Sequence, residues 1–411
     1  MKKNRIKSIA ISDYYYPLPD NRIAKYPLIE RDHSKLLCYF DGTIKIHNFF
    51  ELSERIPDNS LMIFNNTRVI HARLLFKKVT GAVIEIFCLS PDDPKDYALS
   101  FEQTKSTIWR CMVGNAKKWK QEELTLKIDG ENGQVTLFAK KVSSENEDEK
   151  IEFSWDNPGY TFSELLEHAG NLPIPPYLNR PTEENDEKTY QTIYSRIEGS
   201  VAAPTAGLHF TENVMKSLQQ KNIDLSQLTL HVGAGTFRPV KADKIGMHEM
   251  HTEIISVKQE TIEKLLLNNG KLVVVGTTSL RTIESLYYLG VKILKNKEIS
   301  FDNLLVEQWE PYDAENNLFT PTESLTALLE YMKEHNLNSL IASTKIMIAP
   351  GYQFKFVDGL LTNFHQPQST LLLLVSAFVG KDWQKIYDFA LRNNFRFLSY
   401  GDSSLLWRNS K

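Results

Sequence analysis

The stretch GSVAAPTAGLHF, residues 199–210, combines glycines, a proline and small side chains with three groups that can do chemistry, Ser200, Thr205 and His209. It has too few large apolar side chains for a core helix or strand, and Pro204 disfavours a helical conformation at the residue before it. Glycine and alanine let a backbone approach a ligand closely, and the amides of a buried loop need partners that a ligand can supply. The composition fits a binding loop, and it fits a tight connection between two elements equally well.

Beyond this stretch and just before it, the chain alternates between helix-like and strand-like segments. The strand-like runs are LTLHVG (228–233), KLVVVG (271–276), KIMIAPG (345–351) and LLTNF (360–364). The helical patterns lie at 161–170, 212–221, 259–270, 278–290, 323–335 and 381–394. Such alternation predicts a layered α/β domain with a substantially parallel sheet. Ligands gather at the carboxyl ends of parallel strands, so the residues that directly follow each strand are the candidates for a site.

Residues 67–156 have a different pattern. Short strand-like runs, separated by polar turns such as DGENG, occupy 82–89, 107–113, 124–128, 134–142 and 150–155. They show no helical period, which predicts an all-β module, either a small barrel or a sandwich. Residues 67–142 contain 13 Lys and Arg against 9 Asp and Glu, so this is the basic part of a chain whose formal net charge is -3.

The basic residues of this module come in clusters, among them Lys117, Lys118 and Lys120 with Trp119 between them. Lysines interleaved with an aromatic side chain suit a phosphate backbone. Lysines that protect the edges of a solvated sheet give the same pattern. The slightly acidic chain as a whole gives no reason to expect nucleic acid, so such a partner would have to be met by this local patch.

The three cysteines, Cys38, Cys88 and Cys111, are far apart and include no CxxC pair. They indicate neither a disulfide framework nor a thiolate zinc site. The first residues are basic but contain no apolar signal segment, and no apolar run is long enough to span a bilayer. We expect a cytoplasmic protein without a membrane partner.

Two segments place glycines and hydroxyl groups directly after predicted strands. HVGAGTFRPV (231–240) contains a GxG but has Arg238 where a dinucleotide fingerprint needs its third glycine. VVVGTTSLR (273–281) runs from a strand into a helix, where free amides and hydroxyls suit a carboxylate or a phosphate. It is not a GxxxxGK[ST] phosphate loop, so use of a nucleoside triphosphate is not indicated.

Two further strand-end turns carry other polar side chains. LLTNFHQPQST (360–370) places Asn363 and His365 in a proline-bearing turn before an apolar helix. FRFLSYGDSSLL (395–406) carries Asp402 in a polar turn near the end of the chain. With the preceding segments, these turns supply the polar strand ends that a single ligand cleft would need.

The segment MHEMHTE, residues 247–253, carries several groups that can bind metal or transfer protons. In an extended conformation Glu249, His251 and Glu253 share one face. That arrangement suits a metal ion, or a base paired with its orienting carboxylate. It is not HExxH and no third ligand is evident, so we do not expect a metal. A polar surface strand has the same pattern.

Together these segments resemble one family, the S-adenosylmethionine:tRNA ribosyltransferase-isomerases of queuosine biosynthesis. The segments that carry the resemblance follow the order of the family through nearly the whole chain. They are YPLPDNRIAKYPLIERDHSKLL, FNNTRVIHARL, YQTIYSRIEGSVAAPTAGLHFT, LTLHVGAGTFRPV, MHEMHTE, VVGTTSLRTIES, PGYQFKFVDGLLTNFHQPQSTLLLLVSAFVG and RFLSYGD. The resemblance implies an α/β domain, residues 1–66 and 157–411, with a small β-barrel domain, residues 67–156, inserted into it.

The resemblance also implies an enzyme, a transferase that uses S-adenosylmethionine as a ribosyl donor. The acceptor is the aminomethyl group of 7-aminomethyl-7-deazaguanine at the wobble position of tRNA. Adenine and methionine leave, and epoxyqueuosine forms in the tRNA. S-adenosylmethionine is then a co-substrate, neither a metal nor another cofactor is implied, and we expect a monomer.

This chemistry requires a general base, a proton donor for adenine and groups that surround a cation. The catalytic candidates are His209, His251 with Glu253, and His365. The substrate-binding candidates are Ser200, Thr205, Gly207, Gly233, Gly235, Gly276, Thr277, Thr278, Arg281, Asn363 and Asp402. Of these, the helix start at 276–279 together with Arg281 is expected to hold the methionine carboxylate. The tRNA-binding candidates are Arg68, Arg73, Lys117, Lys118 and Lys120.

Some positions depart from the family pattern. WRCMVGNAKKWK (109–120) stands where a proline-containing basic turn is expected, Asn171 occupies a histidine position, and His71 occupies a proline position. Gln366 and Gln368 alter the turn before the apolar helix. These departures bear on the acceptor more than on the donor. They leave two alternatives, a paralogue that uses the same donor chemistry on a different acceptor, and a noncatalytic tRNA- or nucleotide-binding protein.

Overall fold

The computed structural model describes residues 2–120, 122–130, 132–145, 148–233 and 242–408. The strands are β1 (Lys35–Phe40), β2 (Thr43–Asn48), β3 (Leu61–Asn65), β4 (Thr67–Val69), β5 (Arg73–Lys77), β6 (Val83–Asp93), β7 (Ser106–Gly114), β8 (Leu124–Gly130), β9 (Gly133–Glu145), β10 (Asp148–Trp155), β11 (Gly170–Asn171), β12 (Ile197–Ser200), β13 (Asp224–His231), β14 (Glu253–Lys258), β15 (Leu272–Val275), β16 (Leu305–Val306), β17 (Ser339–Thr344), β18 (Gly359–Asn363) and β19 (Ser403–Trp407). The α-helices are α1 (Lys2–Lys7), α2 (Tyr97–Phe101), α3 (Phe162–Ala169), α4 (Asp186–Thr189), α5 (Glu212–Gln220), α6 (Gln259–Leu267), α7 (Gly276–Lys295), α8 (Pro321–Glu334), α9 (Thr370–Val379) and α10 (Asp382–Arg392).

The larger of the sheets has ten strands in the order β16-β17-β14-β13-β3-β15-β18-β19-β1-β2. Its four central strands, β13, β3, β15 and β18, run parallel to one another. Strands β14 and β19 flank this group and run antiparallel to it. The predicted mixed α/β fold with a largely parallel sheet is therefore confirmed.

Alternate side chains of the central strands pack into different cores. On β3, Leu61 and Ile63 belong to the largest apolar cluster, whereas Met62 and Phe64 belong to a second one. This follows from the two-residue period of a strand. The largest cluster also holds apolar side chains of α6 to α10, and the second holds those of α5 and the 3-10 helix Phe49–Arg55. Helical elements therefore cover both faces of the sheet, and every residue of β3, β15 and β18 is buried.

The start of α7 differs from that of α8 in one respect that matters for the site. Helix α8 begins with a capping box, in which Thr320 and Glu323 each accept from the other's backbone amide, and it has Pro321 in its first turn. Helix α7 follows Val275 directly, the last residue of β15, and no side chain of the described residues caps it. Its first amides therefore lie at the edge of the sheet without a side chain from this part of the chain to satisfy them.

Residues 73–155 form most of a second sheet, which is antiparallel and has seven strands in the order β11-β5-β6-β7-β10-β9-β8. Strands β5 and β8 are near opposite ends of this order and nevertheless contact each other, so the sheet is curled. Within the described residues no hydrogen-bonded pairing joins these two strands. The antiparallel strands of this region are as predicted, with the short helix α2 between β6 and β7. A closed barrel stays a prediction.

Helix α3 and strand β11 follow residue 157 in sequence, yet both pack with the curled sheet. The two bodies of the molecule also meet through Tyr97 of α2, whose ring stacks on that of His231 at the end of β13, with centroids 4.1 Å apart. The division into residues 1–66 and 157–411 against 67–156 stays a prediction.

Cys88 and Cys111 are opposite each other on β6 and β7, and both are buried free thiols. Cys38 is also free. In the described part of the chain, no helix has the length and apolar character required to cross a membrane.

Candidate active site

The carboxyl ends of β13, β3, β15 and β18 meet at one edge of the large sheet, and a cleft of ≈ 170 Å³ opens there. Strands β14 and β19 begin at the same edge because they run antiparallel to their neighbours. The residues that line the cleft include Tyr177, Ala203, Pro204, Thr205, Gly233, His248, His251, Glu253, Gly276, Thr277, Thr278, Arg281, Asn363, Phe364, His365, Leu398 and Ser399. Most of them lie just before or just after a strand. This agrees with the usual position of ligand sites in such sheets, outside the carboxyl ends of the strands.

The uncapped start of α7 forms one part of the cleft wall. Gly276 has a φ of +86°, a conformation that glycine adopts without strain and that turns the chain from β15 into the helix. Thr277 and Thr278 follow in the first turn and line the cleft. Free amides and the positive end of a helix dipole favour an anion at this position.

Arg281, one turn further along α7, forms an ion pair with Glu253 at the start of β14. Both residues are buried, with 7% and 6% of their surface exposed. The Arg281 Nε donates to the carbonyl of Ile346, whereas Nη2 has no hydrogen-bond partner among the described residues. The Thr278 hydroxyl is buried and likewise unpartnered there. Since a buried polar group without a partner costs about 1–3 kcal/mol, these two groups indicate a ligand that accepts hydrogen bonds.

A chain of hydrogen bonds leads from the cleft wall into the protein. Thr205 Oγ1 donates to Asn363 Oδ1 at 2.8 Å, and Asn363 Nδ2 donates to His209 Nε2 at 3.2 Å. His209 Nδ1 lies 2.9 Å from the Ser34 hydroxyl. Desolvation by burial lowers the pKa of His209 to about 4, so the ring is neutral at pH 7 and carries its proton on Nδ1. His209 does not line the cleft. It lies outside the cleft and fixes the orientation of the Asn363 amide through this hydrogen bond.

Three other histidines, His248, His251 and His365, do line the cleft. The Nε2 atom of His365 lies 3.0 Å from Thr362 Oγ1, and burial lowers the pKa of His365 to about 4. Burial also lowers the pKa of His248, with His251 as a second cause. His251 itself is exposed. A neutral imidazole is the form that accepts a proton, so the cleft has groups for general-base chemistry. The described residues contain no group of three or more His, Cys, Asp or Glu side chains that could hold a metal ion.

The loop 199–210 contributes its middle part to the cleft wall, but two of the predicted ligand-binding residues are used inside the fold. The Ser200 hydroxyl donates to the carbonyl two residues further on and accepts from the amide of Val232. Gly207 packs so closely against Tyr194 that a Cβ atom would lie 1.9 Å from the Tyr194 hydroxyl. Neither Ser200 nor Gly207 lines the cleft.

Asp402 holds the C-terminal turn together. Its carboxylate accepts from the amides of Lys35 at 3.0 Å and Arg396 at 2.8 Å. Asp402 is buried and is not among the residues that line the cleft. Two glycines after β13, Gly233 and Gly235, are predicted to bind the substrate. Gly233 lines the cleft, and Gly235 lies outside the described residues.

The lysines predicted to bind tRNA follow β7 and are exposed, as a phosphate contact requires. Trp119, in contrast, is buried and donates through its indole nitrogen to the carbonyl of Glu122, so it offers no stacking surface. Strand β7 rises about 27 Å over its nine residues. Lys117, Lys118 and Lys120 lie at the end of β7 that points away from α2 and its contact with the cleft-bearing strand β13.

The two predicted arginines lie on β4 and β5. Arg68 is on β4, which pairs with β12 directly before the loop 199–210, and its Nη1 lies 3.7 Å from Glu198. Arg73 begins β5, lies 3.4 Å from Glu85 and stands over the ring of Phe87. Arg68 therefore lies apart from the lysines, whereas Glu85, the partner of Arg73, pairs with Gly114 at the end of β7 that precedes them.

Three residues of the site are not predicted from the sequence: Tyr177 and Ser399, which line the cleft, and Gln308, which supports its wall. The Tyr177 and Ser399 hydroxyls lie 2.5 Å apart. The Gln308 side chain accepts from the amide of Met250 at 3.0 Å and donates to the carbonyl of His248 at 2.7 Å, which fixes the backbone before His251. Tyr177 and Gln308 do not follow a predicted strand, so they lack the signal used for the other residues. Ser399 lies within the quoted segment RFLSYGD.

Buried unpaired donors, neutral histidines and an enclosed cleft at the ends of parallel strands define an enzyme that acts on a small molecule. The chain belongs to the family of queuosine biosynthesis proteins, whose family model matches residues 11–406. This match confirms the family predicted from the sequence, and with it a transferase enzyme of tRNA modification. A crystal structure of S-adenosylmethionine tRNA ribosyltransferase from Thermotoga maritima at 2.00 Å resolution is 26% identical to this chain. The alignment covers 96% of this chain and 100% of that one, with a TM-score of 0.46.

Proposed function

We propose that this protein transfers and isomerises the ribosyl group of S-adenosylmethionine onto the aminomethyl group of 7-aminomethyl-7-deazaguanine at the tRNA wobble position. The products are epoxyqueuosine in the tRNA, adenine and methionine. S-adenosylmethionine is the co-substrate, and the proposal includes neither a metal nor another cofactor. The main support for this proposal is a pair of unpartnered donors near the start of α7, Arg281 Nη2 and Thr278 Oγ1. They lie next to the carboxylate of Glu253, which is paired with Arg281.

These groups match the two charges of the methionine end of the donor. The donor carboxylate accepts from the first amides of α7, from the Thr278 hydroxyl and from Arg281 Nη2. The donor ammonium lies next to Glu253. Arg281 uses one terminal nitrogen for Glu253 and the other for the ligand, which the planar fork of a guanidinium permits and a lysine does not. A ligand with only one charge would leave part of this arrangement unused.

The sulfonium of the donor acidifies the adjacent 5′-carbon of the ribose. A base removes a proton there, adenine leaves as the ribose opens, the acceptor amine adds, and an alkoxide displaces methionine to close the epoxide. We propose His251 and His365 for proton transfer, since both line the cleft. His209 acts on this chemistry only through Asn363, which it orients.

The proposed RNA partner reaches the cleft along the side of β4. There Arg68 pairs with Glu198 of β12, the strand that leads into the loop 199–210. Lys117, Lys118 and Lys120 extend the contact to the far part of the tRNA, with the chain acting as a monomer. A second candidate function keeps the donor and changes the acceptor. It is favoured by the position of the three lysines, which follow β7 at the end away from the cleft-bearing strand.

The test combines the protein, S-adenosylmethionine and tRNA that carries 7-aminomethyl-7-deazaguanine, and it measures released adenine together with the mass of the modified nucleoside. The proposal predicts one adenine for each nucleoside converted. Adenine release that depends on a different amine would support the second candidate. Binding of S-adenosylmethionine without any adenine release would indicate a noncatalytic nucleotide-binding protein.

The matched control is unmodified tRNA, which has the same phosphate backbone and lacks the acceptor amine. It is expected to bind with similar affinity and to yield no modified nucleoside. Modification of this control would contradict the assignment of the aminomethyl group as the acceptor.

A further inference from the structure

The end of the cleft at β18 and β19 differs in chemistry from the end at α7. It is formed by Phe364, Leu398 and Ser399, with Tyr177 opposite and the loop at Pro204 beside them. None of these side chains is charged. The amide of Leu398 donates to the carbonyl of Phe364, which places Leu398 and Ser399 directly beyond the end of β18. Glu253 begins β14, four strands away in the sheet order from β18, which corresponds to about 19 Å.

The Tyr177 and Ser399 hydroxyls form a close pair in this apolar surrounding, with 2.5 Å between their oxygens. Ser399 is buried and Tyr177 is half-buried. Leu398, the residue before Ser399, has a φ of +67°, which is rare for a side chain of its size and costs about 1–3 kcal/mol. The packing around this turn therefore fixes Ser399 against Tyr177 at the expense of backbone strain.

Three other tyrosine hydroxyls near this end of the cleft have partners inside the protein, whereas the buried Tyr190 hydroxyl, which also lines the cleft, has none among the described residues. The Tyr16 hydroxyl donates to the carbonyl of His365, and the Tyr387 hydroxyl accepts from the His365 amide at 3.1 Å. The Tyr400 hydroxyl donates to Asp186 at 3.0 Å. Tyr177 differs from those three because its partner is a second hydroxyl, and it differs from Tyr190 because this partner fixes the position of its hydroxyl. Two hydroxyls together have one proton more than their mutual hydrogen bond uses.

We infer that Tyr177 and Ser399 form the nucleobase subsite of this cleft and that the Tyr177 hydroxyl donates a hydrogen bond to a ring nitrogen of the departing adenine. The inference rests on the proposed function, because it takes the methionine end of the donor to lie at α7. The flat apolar walls then face the purine, and the hydroxyl pair supplies its polar contact. Tyr177 is a catalytic residue in this assignment, and Ser399 is the positioning residue behind it.

The bond between C1′ of the ribose and N9 of adenine breaks, and its electron pair goes to the purine. The Tyr177 hydroxyl gives its proton to the purine, and the Ser399 hydroxyl donates to the phenolate oxygen that remains. The acceptor amine releases a proton when it adds to the opened ribose, and this proton restores Tyr177. Burial raises the pKa of Tyr177 to about 12, so the phenol is protonated at neutral pH before the step.

The experiment replaces Tyr177 by phenylalanine, which keeps the ring and removes the hydroxyl. General-acid assistance contributes about 100-fold to 10,000-fold in rate, so adenine release is expected to slow by at least about 100-fold. Affinity for S-adenosylhomocysteine is expected to change by less than about threefold, because a single neutral hydrogen bond contributes little to ground-state binding. Ser399→Ala is expected to slow the release by about tenfold. Tyr15→Phe, at an exposed tyrosine, is the matched control and is expected to match the wild-type rate.

Donor analogues test directly whether the Tyr177 hydroxyl contacts the purine, because a purely structural role of Tyr177 would not depend on a purine nitrogen. S-adenosylmethionine with a 3-deaza or a 7-deaza purine lacks one ring nitrogen. One of the two analogues is expected to slow the wild-type enzyme and to slow Tyr177→Phe no further, because the variant and the analogue remove the same hydrogen bond. Losses that multiply for both analogues would overturn the inference, and so would a wild-type rate for Tyr177→Phe. A wild-type enzyme that releases no adenine would instead overturn the proposed function together with this inference.

Discussion

The cleft at the edge of the large sheet and the lysine group at the end of β7 hold their charges in different ways. In the cleft, Arg281 and Glu253 are buried, paired with each other and still short of one hydrogen-bond acceptor. At the end of β7, Lys117, Lys118 and Lys120 are exposed to solvent. Interactions of exposed charges are screened by water and salt, whereas those of buried charges are not.

This difference indicates how much free energy each region gains when it binds a partner. The fold leaves two donors unsatisfied in the cleft, so the protein gains free energy when an anion enters. The lysines need no partner for the folded state and bind a polyanion through counterion release. We therefore expect changes in the cleft to affect affinity and stability strongly, and changes at the lysines to affect mainly the dependence of tRNA binding on salt.

Replacement of Arg281 by methionine is expected to have the largest effect. It leaves the Glu253 carboxylate buried without its cation, and breaking a buried pair from one side lowers the free energy of unfolding by about 3–5 kcal/mol. Donor affinity is expected to fall by at least about tenfold, since a hydrogen bond to a charged group contributes roughly 1.5–3 kcal/mol. Urea unfolding and calorimetric titration with S-adenosylhomocysteine measure the two effects.

A double variant separates stability from binding. Glu253→Gln combined with Arg281→Met removes both charges, so most of the lost free energy of unfolding is expected to return while donor affinity stays low. Arg281→Lys keeps a charge next to Glu253 and loses the second terminal nitrogen, and we expect weakened binding with little loss of stability. Unchanged donor affinity in Arg281→Met would refute the assignment of this group to the ligand.

The next effect concerns a residue behind the cleft wall. His209→Ala frees the Asn363 amide to rotate, and a small displacement of a contact residue slows turnover by roughly 100-fold. Donor affinity is expected to stay within about threefold of the wild type, because His209 does not line the cleft. Steady-state rates of adenine release and titration with S-adenosylhomocysteine check the two expectations.

The conservative variant His209→Gln is the control. Its side-chain oxygen can accept from Asn363 Nδ2 as the imidazole does, so most of the turnover is expected to return. His209→Ala with full activity would show that the hydrogen bond to Asn363 does not position the site. Equal losses in both variants would indicate direct proton transfer by His209, as the sequence alone suggested.

The free energy of unfolding is expected to depend on pH because three histidines of the large sheet region are buried, unlike the exposed lysine group. Burial lowers the pKa of His209, His231 and His365 to about 4. Below pH 6.5 the unfolded chain binds protons that the folded chain excludes until the pH approaches 4, so the free energy of unfolding falls across this window. Each histidine contributes up to about 1.4 kcal/mol per pH unit. Urea unfolding at pH 7, 6 and 5 measures the slope.

Substitution tests this assignment one residue at a time. His231→Gln removes one of the three titrating groups, so its slope between pH 6 and 5 is expected to be smaller by up to about 1.4 kcal/mol per pH unit. His209→Gln is expected to reduce the slope by a similar amount, and the double variant by the sum. A slope that none of these substitutions changes would mean that the three rings do not control acid stability.

The sequence predicts the cleft better than it predicts the use of each residue. Thr278 and Arg281 lie in the first turns of the helix that follows β15, and Asn363 is the last residue of β18. Strand ends converge at one edge of a parallel sheet for geometric reasons. The same rule does not tell whether a hydroxyl faces a ligand or the backbone. Ser200 bonds to a carbonyl and an amide of its own fold, a result that depends on how the loop packs against Val232.

Residues that reach a site through tertiary packing are harder to predict. Tyr177 lies in a short 3-10 helix and Gln308 lies between β16 and a second one, so neither has a strand-end position. The closure of the antiparallel sheet is also difficult to predict from the sequence. Its strands are evident from composition, but whether they close into a barrel depends on the pairing of β5 with β8, two strands that are distant in the sheet order.

The smallest expected effect is that of the lysine group. Replacement of Lys117, Lys118 and Lys120 by alanine is expected to weaken tRNA binding at low salt and to leave turnover at saturating tRNA unchanged. If each lysine neutralises one phosphate, the slope of log affinity against log salt becomes shallower by about 2.7, or 0.9 for each contact. The matched control replaces Lys216, Lys258 and Lys297, three exposed lysines of the large body. An equal change in both triple variants would reduce the effect to net charge, and an unchanged slope in the first would remove this group from the tRNA-binding surface and leave Arg68 as the predicted contact nearest the cleft.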